Sequence, residues 1–580
     1  MLRRPDGRQW RSSESQNMPV RSLKQGSFFD PRFAAPGCLV PGTVPWLLAN
    51  HREVLCPPWL FAGWRGSGRR GRCAWPAPVL MGLLVLRWVE EGSSRVGAMR
   101  RAESDIVWRA ATGLVIGGPT PSERTMRDFE AFLRERDPRT DLPRVLLLHE
   151  HFVHLAMWSG VAQRPTWAMD STPQYCYGAI LDTVRLLGDG LRLIGRAYAR
   201  ATGLPLGEVA KRWKLPLLRA KSTKGYLSID WRDGDERSRV ITELAEDATR
   251  VVALVKSELN DMKSGHWKKT LVSRCETVLA IIDQDLEATQ EGRLVIAQRV
   301  ARNRVISITD PAARHGRKSK SQMFDGFKIN VLGDLVGGLI TAISVTPGNG
   351  HDAAPGHELV RRARRLRIEM GNLLADTAYG DAADRHDLLV EHGITLIAPP
   401  PPITPRGEAI GRSSFAIDFA TMTATCPTGV RTDVVERVED HATPHLRFRW
   451  PVSACDACPL RTNCFGTRQR KAESRRNETA PNRCRNRPAK SGRVLELHPY
   501  EPDLRAAREA WADKGVRRQY RARTQFERMI SQVIRHGGRQ ARAWGLDAAN
   551  LQVHAIAIRC NLELLAHKLA AESHHLAKAA

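Results

Sequence analysis

Three acidic residues stand where a carboxylate could do chemistry. Asp170 follows an apolar stretch in Trp-Ala-Met-Asp-Ser-Thr-Pro, and Asp376 follows another in Leu-Leu-Ala-Asp-Thr-Ala-Tyr-Gly-Asp. Small hydroxyl residues come next in both, so each carboxylate is expected at the end of a strand and the edge of a sheet, where the ligands of open α/β sheets sit. Glu527 closes the spacing Tyr520-x2-Arg523-x3-Glu527. At i, i+3 and i+7 these three share one face of a helix. A phenol, a guanidinium and a carboxylate make a poor core stripe but a sensible wall for a charged site. Three hard oxygen ligands from two strands and a helix suit Mg²⁺, and two such ions clamp the attacking and leaving oxygens in phosphoryl transfer. Any single Asp among 62 acidic residues is more often a solvated or capping residue. The combination with the Tyr/Arg/Glu face is what points to a site. Asp310, which ends Arg-Val-Ile-Ser-Ile-Thr-Asp, is a rival to Asp170 as the first carboxylate.

A second group of ligand-type residues is Cys455-x2-Cys458-x5-Cys464, with Cys426 upstream in Ala-Thr-Cys-Pro-Thr-Gly. Four thiolates suit a tetrahedral structural Zn²⁺, which makes Cys426, Cys455, Cys458 and Cys464 candidate ligands. Free cysteines in a small insertion are the plainer alternative, and the distance to Cys426 is the least typical part of the pattern. Eleven cysteines in 580 residues are too few for a disulfide scaffold and suit a reducing compartment. The run His-Glu-His-Phe-Val-His at 149–154 departs from the zinc-protease pattern, because Val153 occupies the second His position. His151 and His154 are expected on a helix surface. The sequence has no phosphate-loop motif and no Ser/His/Asp arrangement.

The elements that must position these groups fall into six stretches. Residues 1–75 scatter Trp, Gly, Pro and Arg without a helical or strand period and read as a poorly ordered basic tail. Residues 76–165 have helical spacing, with Ser122 as the cap of one helix, and are expected to form an all-helical N-terminal domain. Residues 166–402 alternate strand and helix. The first strand is short, over Thr-Trp-Ala-Met-Asp-Ser-Thr, and a helical insertion follows over 178–201 and 243–292. Three strand signals come next, Arg-Val-Ile-Ser-Ile-Thr-Asp, Phe-Asp-Gly-Phe-Lys-Ile-Asn-Val-Leu-Gly-Asp and Leu-Ile-Thr-Ala-Ile-Ser-Val-Thr-Pro, the last two paired as a hairpin. Two helices then alternate with the strands Leu-Leu-Ala-Asp and Ile-Thr-Leu-Ile-Ala. This is an α/β class, a mixed sheet flanked by helices. Residues 403–494 interrupt it as a Cys-containing basic insertion, residues 495–570 return to helix, and 571–580 form a tail.

The charge balance narrows the partner. With 89 Lys and Arg against 62 Asp and Glu, the formal charge is +27, which suits a densely negative partner, above all nucleic acid. The basic residues cluster in Arg-His-Gly-Arg-Lys-Ser-Lys-Ser at 314–321, in Arg-Arg-Ala-Arg-Arg at 361–365, and in the tract 468–493. Such tracts neutralise phosphates without reading sequence. The apolar run at 79–86 ends at Arg87 and is far shorter than the roughly 20 residues of a spanning helix, so no membrane partner is expected.

Asp170 in Met-Asp-Ser-Thr-Pro, the span Thr-Asp-Pro-Ala-Ala-Arg-His-Gly-Arg-Lys-Ser-Lys, Val-Thr-Pro-Gly-Asn-Gly-His-Asp, Leu-Leu-Ala-Asp-Thr-Ala-Tyr-Gly-Asp and the Tyr-x2-Arg-x3-Glu helix occur in one order along 76–570. Together they resemble the bacterial insertion-sequence transposases of the DDE class. The resemblance implies a ribonuclease-H-like catalytic core whose Asp, Asp and Glu bind two Mg²⁺, here Asp170, Asp376 and Glu527. It further implies cleavage at the inverted repeats of the element and strand transfer into target DNA, performed by a DNA-bound homodimer in the bacterial cytoplasm, at the nucleoid. Tyr520 and Arg523 take the companion positions near the DNA backbone, with Arg317, Lys318 and Lys320 as further phosphate contacts. The family signature continues with a Lys at the position of Ile534; Arg535 is the adjacent cation, about 100° further round a helix. A nuclease on the same fold that does not join strands, or an inactive DNA-binding remnant, are the alternative readings.

Overall fold

A computed structural model describes residues 29–579 apart from 65–73, 91–93, 163–164, 263–264, 290–293, 320, 352, 403–409, 440–443, 462 and 465–491. The chain divides into two compact units. One comprises Met1–Pro165, Asp170–Arg367 and Glu527–Ala580; the other comprises Thr166–Met169 and Ile368–Phe526. Among the described residues, no helix is long and apolar enough to cross a membrane.

The first unit begins with helices. Val44–Leu55, Ala77–Val89, Arg95–Ser104, Ile106–Thr112, Glu123–Arg134 and Arg144–Trp158 are the main ones. Polar caps start several of them. Ser122 accepts a hydrogen bond from the Thr125 N–H at 3.2 Å, as its position predicts. Asp105 caps Ile106–Thr112, which ends at Gly113 in the left-handed conformation (φ 77°). The apolar helix Ala77–Val89 buries Leu80, Met81, Leu83, Leu84 and Val85 completely, against Phe129, Phe152, Ile558 and Leu562 among others.

One expectation for the N-terminal 75 residues is corrected here. Residues 44–55 form a helix whose Val44, Leu47, Leu48 and Leu55 are buried in this same core. Their spacing of three, four and eleven residues is a helical stripe, hidden in the sequence by the Pro, Gly and Arg around it. Residues 1–28 lie outside the described residues.

Between these helices sits an enclosed carboxylate. Glu130, with 8% of its side chain exposed, accepts from Arg95 Nη2 at 2.7 Å and Nε at 3.0 Å and is paired with Arg87. Removing one partner of such a pair leaves the other charges uncompensated. Glu130→Ala is therefore expected to lower the unfolding free energy by about 3 kcal/mol. Chemical denaturation of the full chain measures it, and a loss below about 1 kcal/mol would show the pair to be solvent-screened.

The α/β part follows. Thr183–Thr202, Gly234–Glu258 and His266–Asp285 pack through Leu187, Leu191, Ile194, Val251 and Val278. Trp167–Tyr175 is β1, and Leu286–Ala288 and Leu294–Ile296 form the antiparallel pair β2 and β3. Arg314–Arg317 (β4), Met323–Asp334 (β5) and Ile340–Pro347 (β6) follow. β4 pairs antiparallel with the first residues of β5, Arg317 opposite Met323, and β6 pairs antiparallel with the rest, from Phe327 opposite Pro347. The expected hairpin is thus β5–β6. The expected strand at 304–310 is absent: Val305–Ile308 are buried but coiled. Their polar backbone atoms go elsewhere, with the Val305 N–H donating to Gln284 Oε1 at 2.8 Å and Ile306 O accepting from the Leu181 N–H at 3.1 Å.

The strand β1 contributes to both units. Its opening residues pair in parallel with Asn372–Leu374 (β7), Trp167 opposite Leu373 and Ala168 opposite Leu374, and β7 pairs in parallel with Thr395–Ile397 (β8). Its later residues neighbour β5, where the Cys176 N–H donates to Asp325 O at 3.0 Å. The strands are apolar where buried, and the mixture of antiparallel and parallel pairs is compatible with a ribonuclease-H-like fold.

The insertion in the second unit holds two small antiparallel sheets. Ala416–Asp418 (β9), Thr423–Thr425 (β10) and Arg431–Thr432 (β11) form one, in the order β11-β10-β9. Val435–Val438 (β12), His445–Arg449 (β13) and Val494–Leu497 (β14) form the other, in the order β12-β13-β14. Phe415, Phe448, Trp450, Leu495 and Leu497 make their common core.

Candidate functional site

Asp170 lies inside β1, not at its end as the sequence suggested, and is half-buried. The strand continues to Tyr175 because a distant segment completes its pairing. The Tyr175 N–H donates to Arg539 O at 2.9 Å, and the Ala541 N–H donates to Tyr175 O at 2.8 Å. Arg539 Nη1 reaches Thr172 Oγ1 at 3.4 Å and Pro173 O at 3.1 Å, and Gln540 Nε2 reaches Cys176 O at 2.8 Å. Residues 539–541 thereby fasten the strand of Asp170 to the chain that follows Glu527. Sequence reasoning missed this role, because the signal is a pairing across more than three hundred residues.

Glu527 is exposed on the helix Phe526–Val533, whose buried face carries Met529 and Val533. The Met529 sulfur lies where a Cβ on Gly333 would meet it at 2.5 Å, so the absence of a side chain at Gly333 of β5 admits this helix. The single helical face drawn through Tyr520, Arg523 and Glu527 is corrected. Tyr520 belongs to the helix Lys514–Arg521, Arg523 to the 3₁₀ turn Ala522–Gln525, and Glu527 to the next helix. A 3₁₀ turn is wound more tightly than an α-helix, so the 100° rotation per residue does not carry across it. Tyr520 packs edge-on to Trp511 with centroids 5.0 Å apart. Arg535 is exposed at the start of the π turn Ile534–Gly538.

Asp376 stands two residues past the end of β7, half-buried, and caps the 3₁₀ turn Thr377–Tyr379 by accepting from the Ala378 N–H at 2.9 Å. Its place matches the expectation of a carboxylate just past a strand end. Ala168 and Leu374 are opposed in the β1–β7 register. Asp170 and Asp376 each stand two residues beyond them.

The rival carboxylate has another environment. Asp310 is fully buried, with Oδ1 accepting from the Gly545 N–H at 3.1 Å and Oδ2 without a hydrogen-bond partner among the described residues. Burial pushes its carboxyl above the usual range, against the pull of the Gly545 and Gly178 amides.

The basic groups differ in availability. Arg317 and Lys318 are exposed at the turn end of β4, and Lys320 lies outside the described residues. Behind them, His315 Nδ1 meets Asp325 Oδ1 at 2.5 Å across the β4–β5 pair. The tract at 361–365 is less free than its composition suggests. Arg361 and Arg362 pair with Glu358 at 3.1 and 3.0 Å, and Arg365 pairs with Glu150 at 2.6 Å.

Cys426, Cys455, Cys458 and Cys464 of the insertion border one pocket, together with Thr428, Trp450, Arg461 and Arg493. Thr428 Oγ1 lies 3.1 Å from Cys426 Sγ and 3.8 Å from Cys458 Sγ, and the Arg493 N–H donates to Cys455 Sγ at 3.3 Å. Among the described residues, however, no three His, Cys, Asp or Glu side chains are already gathered tightly enough to enclose a metal ion.

The histidines at 149–154 face inward, contrary to the surface placement expected for His151 and His154. His151 Nε2 meets Val54 O at 2.7 Å, and the half-buried His154 also has its pKa lowered by burial. The helix carries this apolar load on most of its circumference, which is why charge alone misassigned them.

Residues 425–566 match the family model of the transposase DDE domain. Over this span, about a quarter of the chain, the sequence is similar to the transposase DDE domain. No curated protein and no solved structure matches it. The matched span holds Glu527, Tyr520, Arg523, Arg535 and the four candidate Zn²⁺ ligands, while Asp170 and Asp376 precede it.

Proposed function

We propose that this protein is a DDE-class transposase that cuts phosphodiester bonds at the inverted repeats of its own element and joins the freed ends to target DNA, with Asp170, Asp376 and Glu527 as its carboxylate triad. The observation that carries the reading is the family match across the Glu527 helix.

Carboxylate oxygens are the donors that Mg²⁺ prefers, and the three named residues would hold it. Bound there, two Mg²⁺ ions would supply charge for the attacking and leaving oxygens of an in-line displacement. The residues of the chain do the rest. Asp376 is held in place by its own capping bond to Ala378, and Asp170 by a strand anchored at Arg539. Arg523 and Arg535 neutralise backbone phosphates beside the scissile bond, and Tyr520 takes a neighbouring contact. The enzyme works as a homodimer on paired ends. Incubating the full chain with end oligonucleotides, target DNA and Mg²⁺ tests the reading. Joined product supports transposition; cleaved ends without joined product would assign a nuclease; neither product would leave an inactive remnant.

Arg317 and Lys318 give a separate prediction. If each neutralises one phosphate, replacing both by Ala lowers the slope of log affinity against log salt by about 2. Titrations of an end duplex at several salt concentrations measure it. An unchanged slope would remove both residues from the interface.

A further inference from the structure

We propose that Cys426, Cys455, Cys458 and Cys464 bind one structural Zn²⁺ that staples the turn after β10 to the segment after β13. The sequence made Cys426 the weakest member, and three β-strands separate it from Cys455. In the folded insertion it borders the same pocket as the other three. Apart from Cys38, these four are the half-buried free cysteines of the described chain; Cys56, Cys176, Cys275 and Cys560 are buried.

The backbone around the pocket is shaped for sulfur ligands. Cys426 begins a tight turn in which the Gly429 N–H donates to Cys426 O at 2.9 Å and the Cys426 N–H donates to Val430 O at 3.0 Å. Gly429 has φ 86°, a conformation that only glycine adopts without strain. Cys455 and Cys458 close a second turn, with the Cys458 N–H donating to Cys455 O at 3.3 Å. The Arg493 N–H on Cys455 Sγ is the outer contact that steadies a thiolate ligand. Four thiols that bind as thiolates release four protons and leave a Zn²⁺ centre with two net negative charges. Arg461 and Arg493 border the pocket and offset them.

The insertion also needs a staple. Its core is seven buried residues shared between two three-stranded sheets, a size at which small folds commonly rely on a metal or a disulfide. Soft thiolates select Zn²⁺ over the hard ions suited to carboxylates. The sulfurs line one pocket without closing on one point, so binding requires the half-buried side chains to rotate together.

The test is independent of DNA cleavage. Full-length protein purified without chelators should carry about one Zn²⁺ per chain by elemental analysis. Exchange with Co²⁺ should give the visible bands of tetrahedral cobalt and the near-ultraviolet charge transfer of thiolate ligands. Cys458→Ser and Cys464→Ser should each cut the metal content by about tenfold or more, and Cys38→Ser should leave it unchanged. Because the ligand variants can fail to fold, the cobalt spectrum of the unsubstituted protein decides. Absence of bound Zn²⁺, or cobalt bound without thiolate charge transfer, would overturn the site whether or not the protein transposes DNA.

Discussion

Replacing Asp376 by Ala should reduce end cleavage by about a thousandfold or more, while binding of the same end duplex stays within about threefold. Glu527→Ala and Asp170→Ala should behave alike. The separation of effects follows from placement. Asp376 sits at the start of a 3₁₀ turn, and Glu527 is exposed on a helix whose opposite face does the packing. Neither carboxylate is buried in a core, so the fold survives its loss. Phosphate contacts from the basic residues set affinity, and those remain. The three effects should also fail to add, because residues that form one centre act as a unit. Asp310→Asn supplies the contrast. Its carboxyl is buried against the Gly545 amide, so the change should affect stability and spare the chemistry. Single-turnover cleavage of a labelled end, with binding measured in parallel, decides. Normal cleavage by Asp170→Ala together with abolished cleavage by a folded Asp310→Asn would reverse the assignment of the first carboxylate.

The parts of the fold legible in the sequence were those written locally. Ser122 three residues before Thr125, the Gly-containing connection between β5 and β6, and the apolar runs of β7 and β8 each specify their own structure over a few residues. The parts that were not legible depend on distant partners. β1 looked short because the segment that pairs with its end, around Gln540, lies far along the chain. The stretch 304–310 looked like a strand, since Val305, Ile306 and Ile308 are apolar, yet Gln284 and Asp285 take its backbone and its arginine before any strand can pair with it. The arginines at 361–365 looked like a phosphate patch, but nearby carboxylates already engage three of them. For the candidate site, residue types and spacing singled out the carboxylates proposed here. The break in the helix at Ala522–Gln525 and the anchoring of β1 by Arg539 became visible only in the structure.

Acid should destabilise this protein well before its carboxylates titrate, and one buried pair is a main cause, beside the burial-depressed His151 and His154. His149 is fully buried; its Nε2 lies 3.0 Å from Ile340 O, which can only accept, so that nitrogen carries the proton. Its bare Nδ1 faces His554 Nδ1 at 3.2 Å, so His554 donates there. Asn561 completes the cluster by donating to Ile340 O at 2.9 Å and accepting from the Ile340 N–H at 3.0 Å. A second proton on His149 would set two N–H groups against each other in a site that also feels the Arg362 charge. Burial accordingly lowers the His149 pKa from 6.5 to about 4, and burial with His149 and Arg362 lowers that of His554 as well. The unfolded chain therefore binds protons that the folded chain refuses. Stability is fully present above pH 6.5 and is lost as pH falls toward 4, by about 3 kcal/mol from His149 alone. His149→Gln keeps a donor for Ile340 O and has nothing to titrate. It should flatten the dependence by up to about 1.4 kcal/mol per pH unit between pH 6.5 and 4.5. Urea unfolding of both proteins across that range measures the difference. Equal slopes would mean that the His149 pKa does not differ between the folded and the unfolded chain.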